Sequence, residues 1–298
     1  MTAIKLSIVI GVQHAQDNLP DIMRALLPRT HPLVEFLLCH TSADPDVGVL
    51  AGSEGHIRTL LCRQGSLIPH LWREGILAAR GERVATTTAH CIPASDWVQA
   101  LMAADLEKTA AIGGTIENDR RADAKACAIF LLRYAAVAPP ETRRDVRDVA
   151  ADNAVYRRSD LLRHSDLFQR GFWEPSFHSR LRAENTRLQL DPNLRMIHRN
   201  CYSARQFMGQ RLAHGREFGW TRASGRSFLQ RLLLVLVAPG IFPVLFSRIL
   251  LATRNKPALR RQLAVAWFWL PVFALVWTIG EASGYLAGLR ILKSNALH

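Results

Sequence analysis

The 298-residue chain has little of what several protein classes require. Its five cysteines, Cys39, Cys62, Cys91, Cys127 and Cys201, are odd in number and widely spaced, with no CxxC pair. That argues against a zinc ribbon or a disulfide framework and for reduced thiols in a cytoplasmic setting. No GxGxxG and no Walker A pattern occurs, so a nicotinamide-dependent dehydrogenase lacks its fingerprint. The apolar run Leu6 to Val12 is short and no small-residue cleavage site follows it, so no signal peptide is expected. Acidic residues are scarce, 25 against 38 Lys and Arg, for a formal charge of +13. A basic surplus suits nucleic acid, anionic lipid or a phosphorylated ligand. Nucleic acid is set aside as a partner, because no helix-turn-helix, zinc module or aromatic-basic strand accompanies the charge.

What is present begins with alternation. Residues 5–11 are β-branched and continuous, as in a strand buried on both faces. A helix opens at Asn18, and further strands are expected at 34–39, 57–61, 84–87 and 111–114. Helices are expected over 66–79 and from Ser95. Strand–helix alternation of these lengths predicts an α/β fold on a mostly parallel sheet. Residues 116–148, with Pro139-Pro140 and the run Arg143, Arg144, Asp145, Arg147, Asp148, read as a solvated loop. Residues 173–185 read as a helix with Phe177 and Leu181 facing inward.

The composition shifts near residue 228. Residues 232–247 and 264–280 carry no charge, each slightly short of the ~20 residues of a straight membrane span. Arg231, Arg248 and Arg261 flank them and can snorkel; Trp267, Trp269 and Trp277 suit an interface. Pro239, Gly240 and Pro243 break the first segment. The connecting loop is as basic as the outer flanks, so charge alone leaves two topologies open, a spanning hairpin and a re-entrant or interfacial one. The expected division is residues 1–225 as the main domain and 226–298 as hydrophobic membrane-associated helices.

Several segments in order resemble the family-2 glycosyltransferases. They are Ile8-Val-Ile-Gly-Val with Asn18-Leu, Val34-Glu-Phe-Leu-Leu, Arg73-Glu-Gly-Ile-Leu-Ala-Ala-Arg-Gly81, Pro93-Ala-Ser-Asp-Trp97, Gly113-Gly114, Asp152-Asn153-Ala-Val-Tyr156-Arg157-Arg158 and Gly171-Phe-Trp-Glu174. The apolar tail is similar to that of membrane-bound members. The resemblance implies a GT-A, Rossmann-like domain that moves a sugar from a nucleotide-sugar donor to a lipid-linked or glycan acceptor near the bilayer. It places the main domain on the cytoplasmic face of the inner membrane.

The same resemblance supplies candidate residues. Glu174 stands where the family has its catalytic acid residue, and inversion needs a base to take the acceptor hydroxyl proton. His178 lies one helical turn further on and is placed with it, as an orienting, acceptor-contacting or packing side chain. Asp44, Arg80, Asp152, Asn153 and Arg157 are candidates for donor and acceptor binding. Arg158 and Arg211 are further cations that could neutralise a diphosphate. The family's Asp-x-Asp is replaced here by Thr86-Thr-Thr-Ala-His90-Cys91. Two carboxylates would hold a hard cation against phosphate oxygens, so Mg²⁺ should bind weakly, and His90 with His198 is the remaining candidate pair for a divalent cation such as Mn²⁺. The loss of the acid pair also supports a second reading, a degenerate glycosyltransferase acting as a binding or scaffold protein.

Overall fold

The computed structural model describes residues 3–13, 18–26, 31–41 and 57–295, with side chains as far as 287. The chain forms two units by contact: residues 1–119 with 137–201, and 120–136 with 202–298.

The first unit holds every strand among the described residues. β1 (Leu6–Val12) and β2 (Val34–His40) are buried along their whole length, which is what unbroken apolar, β-branched runs produce between two covering layers. β3 (Ile57–Leu61) pairs with β2, and β4 (Arg83–Thr88) lies on the other side of β1, all parallel. The sheet then turns mixed. β8 (Asn153–Arg157) pairs antiparallel with β4 and with β6 (Ala111–Asn118). The long β9 (Leu188–His198) runs parallel to β6, while β5 (Cys91–Pro93) and β7 (Arg144–Val146) pair antiparallel with it. The order is β3-β2-β1-β4-β8-β6-β9-β5. Of the eight pairings four are antiparallel, so parallel pairing dominates only in the half built by the strand–helix alternation.

Helices α1 (Leu19–Leu26), α2 (Ile68–Ala78), α3 (Trp97–Ala103), α5 (Arg158–Arg163) and α6 (Glu174–Ala183) complete this unit. α2 packs tightly on β1: a Cβ at Gly75 would lie 2.2 Å from Val9 Cγ1. One apolar cluster joins Val9, Trp72, Tyr156, Phe172 and Phe177, with Tyr156 edge-on to Phe172 and Phe177 at 5.5 and 5.8 Å. Trp97 is also fully buried, a core side chain and not a surface platform.

The second unit is helical among its described residues. It comprises α4 (Ala124–Tyr134), α7 (Ala204–Ala223), α8 (Phe228–Val237), α9 (Ile241–Thr253), α10 (Pro257–Val265) and α11 (Trp269–Asn295). α4 and the extension of β6 to Asn118 correct the reading of 116–148 as irregular. Asp123 caps α4, its carboxylate accepting from Ala126 N–H at 2.7 Å, and Ala126 to Leu131 are buried. A 3-10 turn at Ala238–Gly240 separates α8 from α9, where Pro239 denies the helix a donor.

Candidate functional site

The strand order defines where a ligand belongs. From β1 the chain moves to β2 and β3 on one side, then returns to β4 on the other. The connections that leave the carboxyl ends of β1 and β4 therefore run to opposite sides, which makes a topological switch point, the place where open α/β sheets bind ligands in a crevice. Gly11 and Val12 end one strand and Thr88 the other, with Gln13, Ala89 and His90 just beyond them. The amino end of α2 meets them there. Gln13 Nε2 donates to Ser66 O at 3.0 Å, and a Cβ at Gly11 would come 3.3 Å from Ile68 Cδ1. Gly171, with φ +98°, lets the segment before α6 close on the same point, and Phe172 N–H donates to Pro69 O at 2.7 Å. This brings Glu174, the first residue of α6, to the neighbourhood of the α2 amino end.

Asp152 lies on this side too. Its Oδ1 accepts from Thr88 Oγ1 at 3.1 Å, and it is 6% exposed. Tyr156, fully buried, links the two carboxylates electrostatically. Burial first, then the charges of Glu174, Asp148 and Asp152, pushes its phenol well above the ordinary value. His178 stacks on Tyr156, with Nε2 3.2 Å from the phenol oxygen. Its Nδ1 lies 3.3 Å from Asp148 Oδ1. Burial lowers the His178 pKa; the Asp148 carboxylate opposes this without reversing it. For Asp148, burial works upward, but the hydrogen bond and charge of His178 and the Arg182 guanidinium hold the net value down. Tyr156 and His178, both buried, thus form with the exposed Asp148 a polar row beneath the start of α6.

His90 and His198 are both buried, 1% and 0% exposed, with ring centroids 6.3 Å apart. The sheet register brings them together, since Cys91 pairs with His198 across β5 and β9. No group of three His, Cys, Asp or Glu side chains able to hold a metal occurs among the described residues. Two imidazoles do not make the oxygen-rich set that Mg²⁺ or Mn²⁺ prefers. The threonines in place of the acid pair are structural: Thr86 Oγ1 donates to Ala151 O at 2.6 Å and Thr87 Oγ1 to Met196 Sδ at 3.6 Å. The described residues therefore do not fit the family's hard cation.

The remaining candidates separate. Asn153 is fully buried; its amide donates to Thr115 O and Leu194 O, both at 3.0 Å, and accepts from Trp97 Nε1 at 2.8 Å. It fastens β8 to β6, β9 and α3. Arg157 pairs with Arg83 at the opposite end of β4, about 17 Å from Thr88 at the rise of a strand. There it bridges to Asp160 at 3.1 Å. Arg158 N–H donates to Glu82 O at that same edge. Arg80 is exposed and also at the amino edge of the sheet, its N–H donating to Glu35 Oε1 at 2.7 Å. Neither Arg80 nor Arg157 joins Asp152 and Glu174. Arg211 belongs to the second unit, stacked on the Phe207 and Trp277 rings. Asp44 lies outside the described residues.

Arg199 follows His198 at the end of β9. Its N–H donates to His90 O at 2.8 Å, and its guanidinium pairs with Asp21 and, at 3.1 Å, with Asp119. Asn18 Nδ2 donates to its carbonyl at 3.0 Å. It ties α1, β6 and the loop after β4 into one rim of the crevice. Nothing in a lone arginine after a strand announces such a role.

No family model matches the sequence, and no curated protein matches it. Solved structures do. The mannosyltransferase PcManGT from Pyrobaculum calidifontis, in complex with GDP-Man and Mn²⁺, is 13% identical, with a TM-score of 0.53 over 94% of this chain and 88% of that one. Residues 1–349 of TarS from S. aureus, in complex with UDP-GlcNAc, are 10% identical, with a TM-score of 0.54 over 96% and 92%. The chain thus has the mixed α/β fold of GT-A glycosyltransferases, followed by carboxyl-terminal helices that include two long apolar stretches.

Proposed function

We propose that the chain is a membrane-associated, inverting glycosyltransferase that takes a sugar from a nucleotide-sugar donor. The observation that carries this is the topological switch point between β1 and β4, in a fold shared over nearly the whole chain with structures bound to GDP-Man and UDP-GlcNAc. The donor diphosphate lies against the amino end of α2, where the helix dipole favours negative charge. Glu174 acts as general base. It takes the acceptor hydroxyl proton as the acceptor oxygen bonds to the anomeric carbon and the bond from that carbon to the diphosphate oxygen breaks. Glu174 opens α6, where the helix dipole favours negative charge. Asp152 orients the donor or acceptor from the facing wall. His178, held between Tyr156 and Asp148, positions the first turn of α6. The acceptor is lipid-linked or membrane-proximal, the bilayer being the cytoplasmic face of the inner membrane. Residues 226–298 bring the domain to that surface.

Purified protein with a panel of nucleotide sugars tests this. Glu174→Gln should retain donor binding and lower turnover by about 10²–10⁴-fold, the usual contribution of a general base. Turnover unchanged by the substitution would reject the role.

The threonines at the end of β4 favour a second reading, a degenerate glycosyltransferase that binds but does not transfer. Donor binding without turnover of any acceptor presented on membranes would select it.

A further inference from the structure

The second unit carries an apolar surface that its own packing leaves uncovered. On α8, Leu229, Leu233 and Leu236 recur at helical spacing and are 73%, 59% and 68% exposed. Leu251 on α9 and Trp267 and Phe268 between α10 and α11 are also exposed by more than half. Apolar exposure on this scale marks an interaction surface. The charge along it is of one sign. Between Glu217 and Glu281 the chain has eight Lys and Arg and no Asp or Glu. That complements anionic headgroups beside an apolar layer, the chemistry of a bilayer leaflet.

By length, two stretches could cross a bilayer: Phe228–Thr253, 26 residues, and Trp269–Ala287, 19 residues. Their packing argues against crossing. α11 is clamped to α7 by interleaved glycines. A Cβ at Gly219 would lie 2.2 Å from Glu281 O, and one at Gly284 would lie 2.2 Å from Arg216 O. The part of α7 in this crossing carries Arg211, His214, Arg216, Glu217 and Arg222. Glu281, 2% exposed in the middle of the apolar stretch, accepts from Arg222 Nη1 at 2.6 Å and from Trp277 Nε1 at 2.9 Å. A spanning α11 would carry this charged helix into the hydrocarbon, where ionised side chains are strongly disfavoured. The other stretch is held in the same way. Its midpoint, Ala238, packs with Ala223 and Tyr285, and Ala223 sits beside Arg222 and near Arg226 at the polar end of α7.

The geometry points to a monotopic unit. It lies in the plane of one anionic leaflet, with the Leu229, Leu233, Leu236, Leu251, Trp267 and Phe268 surface in the acyl boundary and arginines in the headgroups, and no helix crosses. This rests on the membrane association proposed above and decides its topology.

The test uses the full chain with sealed vesicles, either phosphatidylcholine alone or phosphatidylcholine with phosphatidylglycerol. Binding should be at least about tenfold stronger to the anionic vesicles and fall with salt. Leu233→Asp with Leu236→Asp should abolish it while nucleotide-sugar binding and helical circular dichroism persist. Ser224→Cys and Asn255→Cys, which bracket α8 and α9, should then label with an impermeant maleimide from the same side, above the background of the unsubstituted chain. Labelling from opposite sides would overturn the in-plane topology while leaving membrane association standing. Failure to bind either vesicle would overturn both, and nucleotide-sugar turnover in the same preparation would show the enzymatic reading to be intact.

Discussion

At the scale of single residues, the most informative side chains are those that share a neighbourhood without touching in sequence. Tyr156, His178 and Asp148 come from β8, α6 and the loop before β8, and form one row that runs from the buried phenol and imidazole to the exposed carboxylate. His178 is held neutral there, with its pKa below the ordinary 6.5. The unfolded chain takes up a proton near that ordinary value, while the folded chain resists to lower pH. Stability is therefore fully present above the unfolded value and declines as pH falls from it toward the folded one. Asp148, also depressed, acts in the same sense below its ordinary 3.8. Thermal midpoints measured between about pH 7.5 and 5.5 should fall for the natural chain. His178→Phe should flatten that slope, and an unchanged slope would remove His178 from the account.

Residue roles were only partly legible in the sequence. The family resemblance pointed to the segments that hold Asp152, Glu174 and His178, because it follows order along the chain. It did not carry register. Arg80 and Arg157 stand in matching segments, yet they fall at the amino edge of the sheet: Arg80 lies just before β4, and Arg157 ends β8, which runs antiparallel to β4. Matching positions can also be structural. A Cβ at Gly81 would lie 2.7 Å from Ser7 N, and one at Gly114 would lie 2.0 Å from Leu194 O; these glycines allow close chain approach and cradle no phosphate.

At the scale of elements, β1 and β2 were readable because continuous apolar runs and strand burial coincide. α7 was not. It carries arginines, glutamines and glycines around its circumference, and its 20 residues are ordered by what packs on them, with a capping box at Ser203 and Gln206. Its glycines make a contrast that tests the crossing. Gly209 has nothing within 4 Å of where a Cβ would stand, whereas at Gly219 the Cβ would collide with backbone. Gly209→Ala should stabilise by about 0.5–1 kcal/mol, through helix propensity alone. Gly219→Ala should destabilise by about 1–3 kcal/mol, as overpacking does. Chemical denaturation of both variants checks this; equal effects would mean that α7 and α11 do not cross as described.

At the scale of the whole molecule, the near-zero mean hydropathy averages two unlike materials. One is a sheet-based unit with a polar surface; the other is a helical unit with an apolar, one-signed face. The alternation of strands and helices disclosed the first. The apolar runs disclosed the second, but not that α4, from the middle of the chain, belongs with it, since long-range packing leaves no local trace in a short helix. The charge of +13 then has a physical place, in the cations around the apolar face.

The central claim is that the crevice between the carboxyl ends of β1 and β4 receives the nucleotide sugar. Amide hydrogen exchange, with and without UDP-GlcNAc and GDP-Man in turn, tests it most directly. The account predicts that a bound donor slows exchange at residues 11–13, 66–70 and 88–91. At the opposite edge it should leave the cavity of about 320 Å³ lined by Glu82, Arg83, Asp105, Glu107 and Arg157 unchanged. Protection at that opposite edge, or none at the switch point when donor is bound, would contradict it.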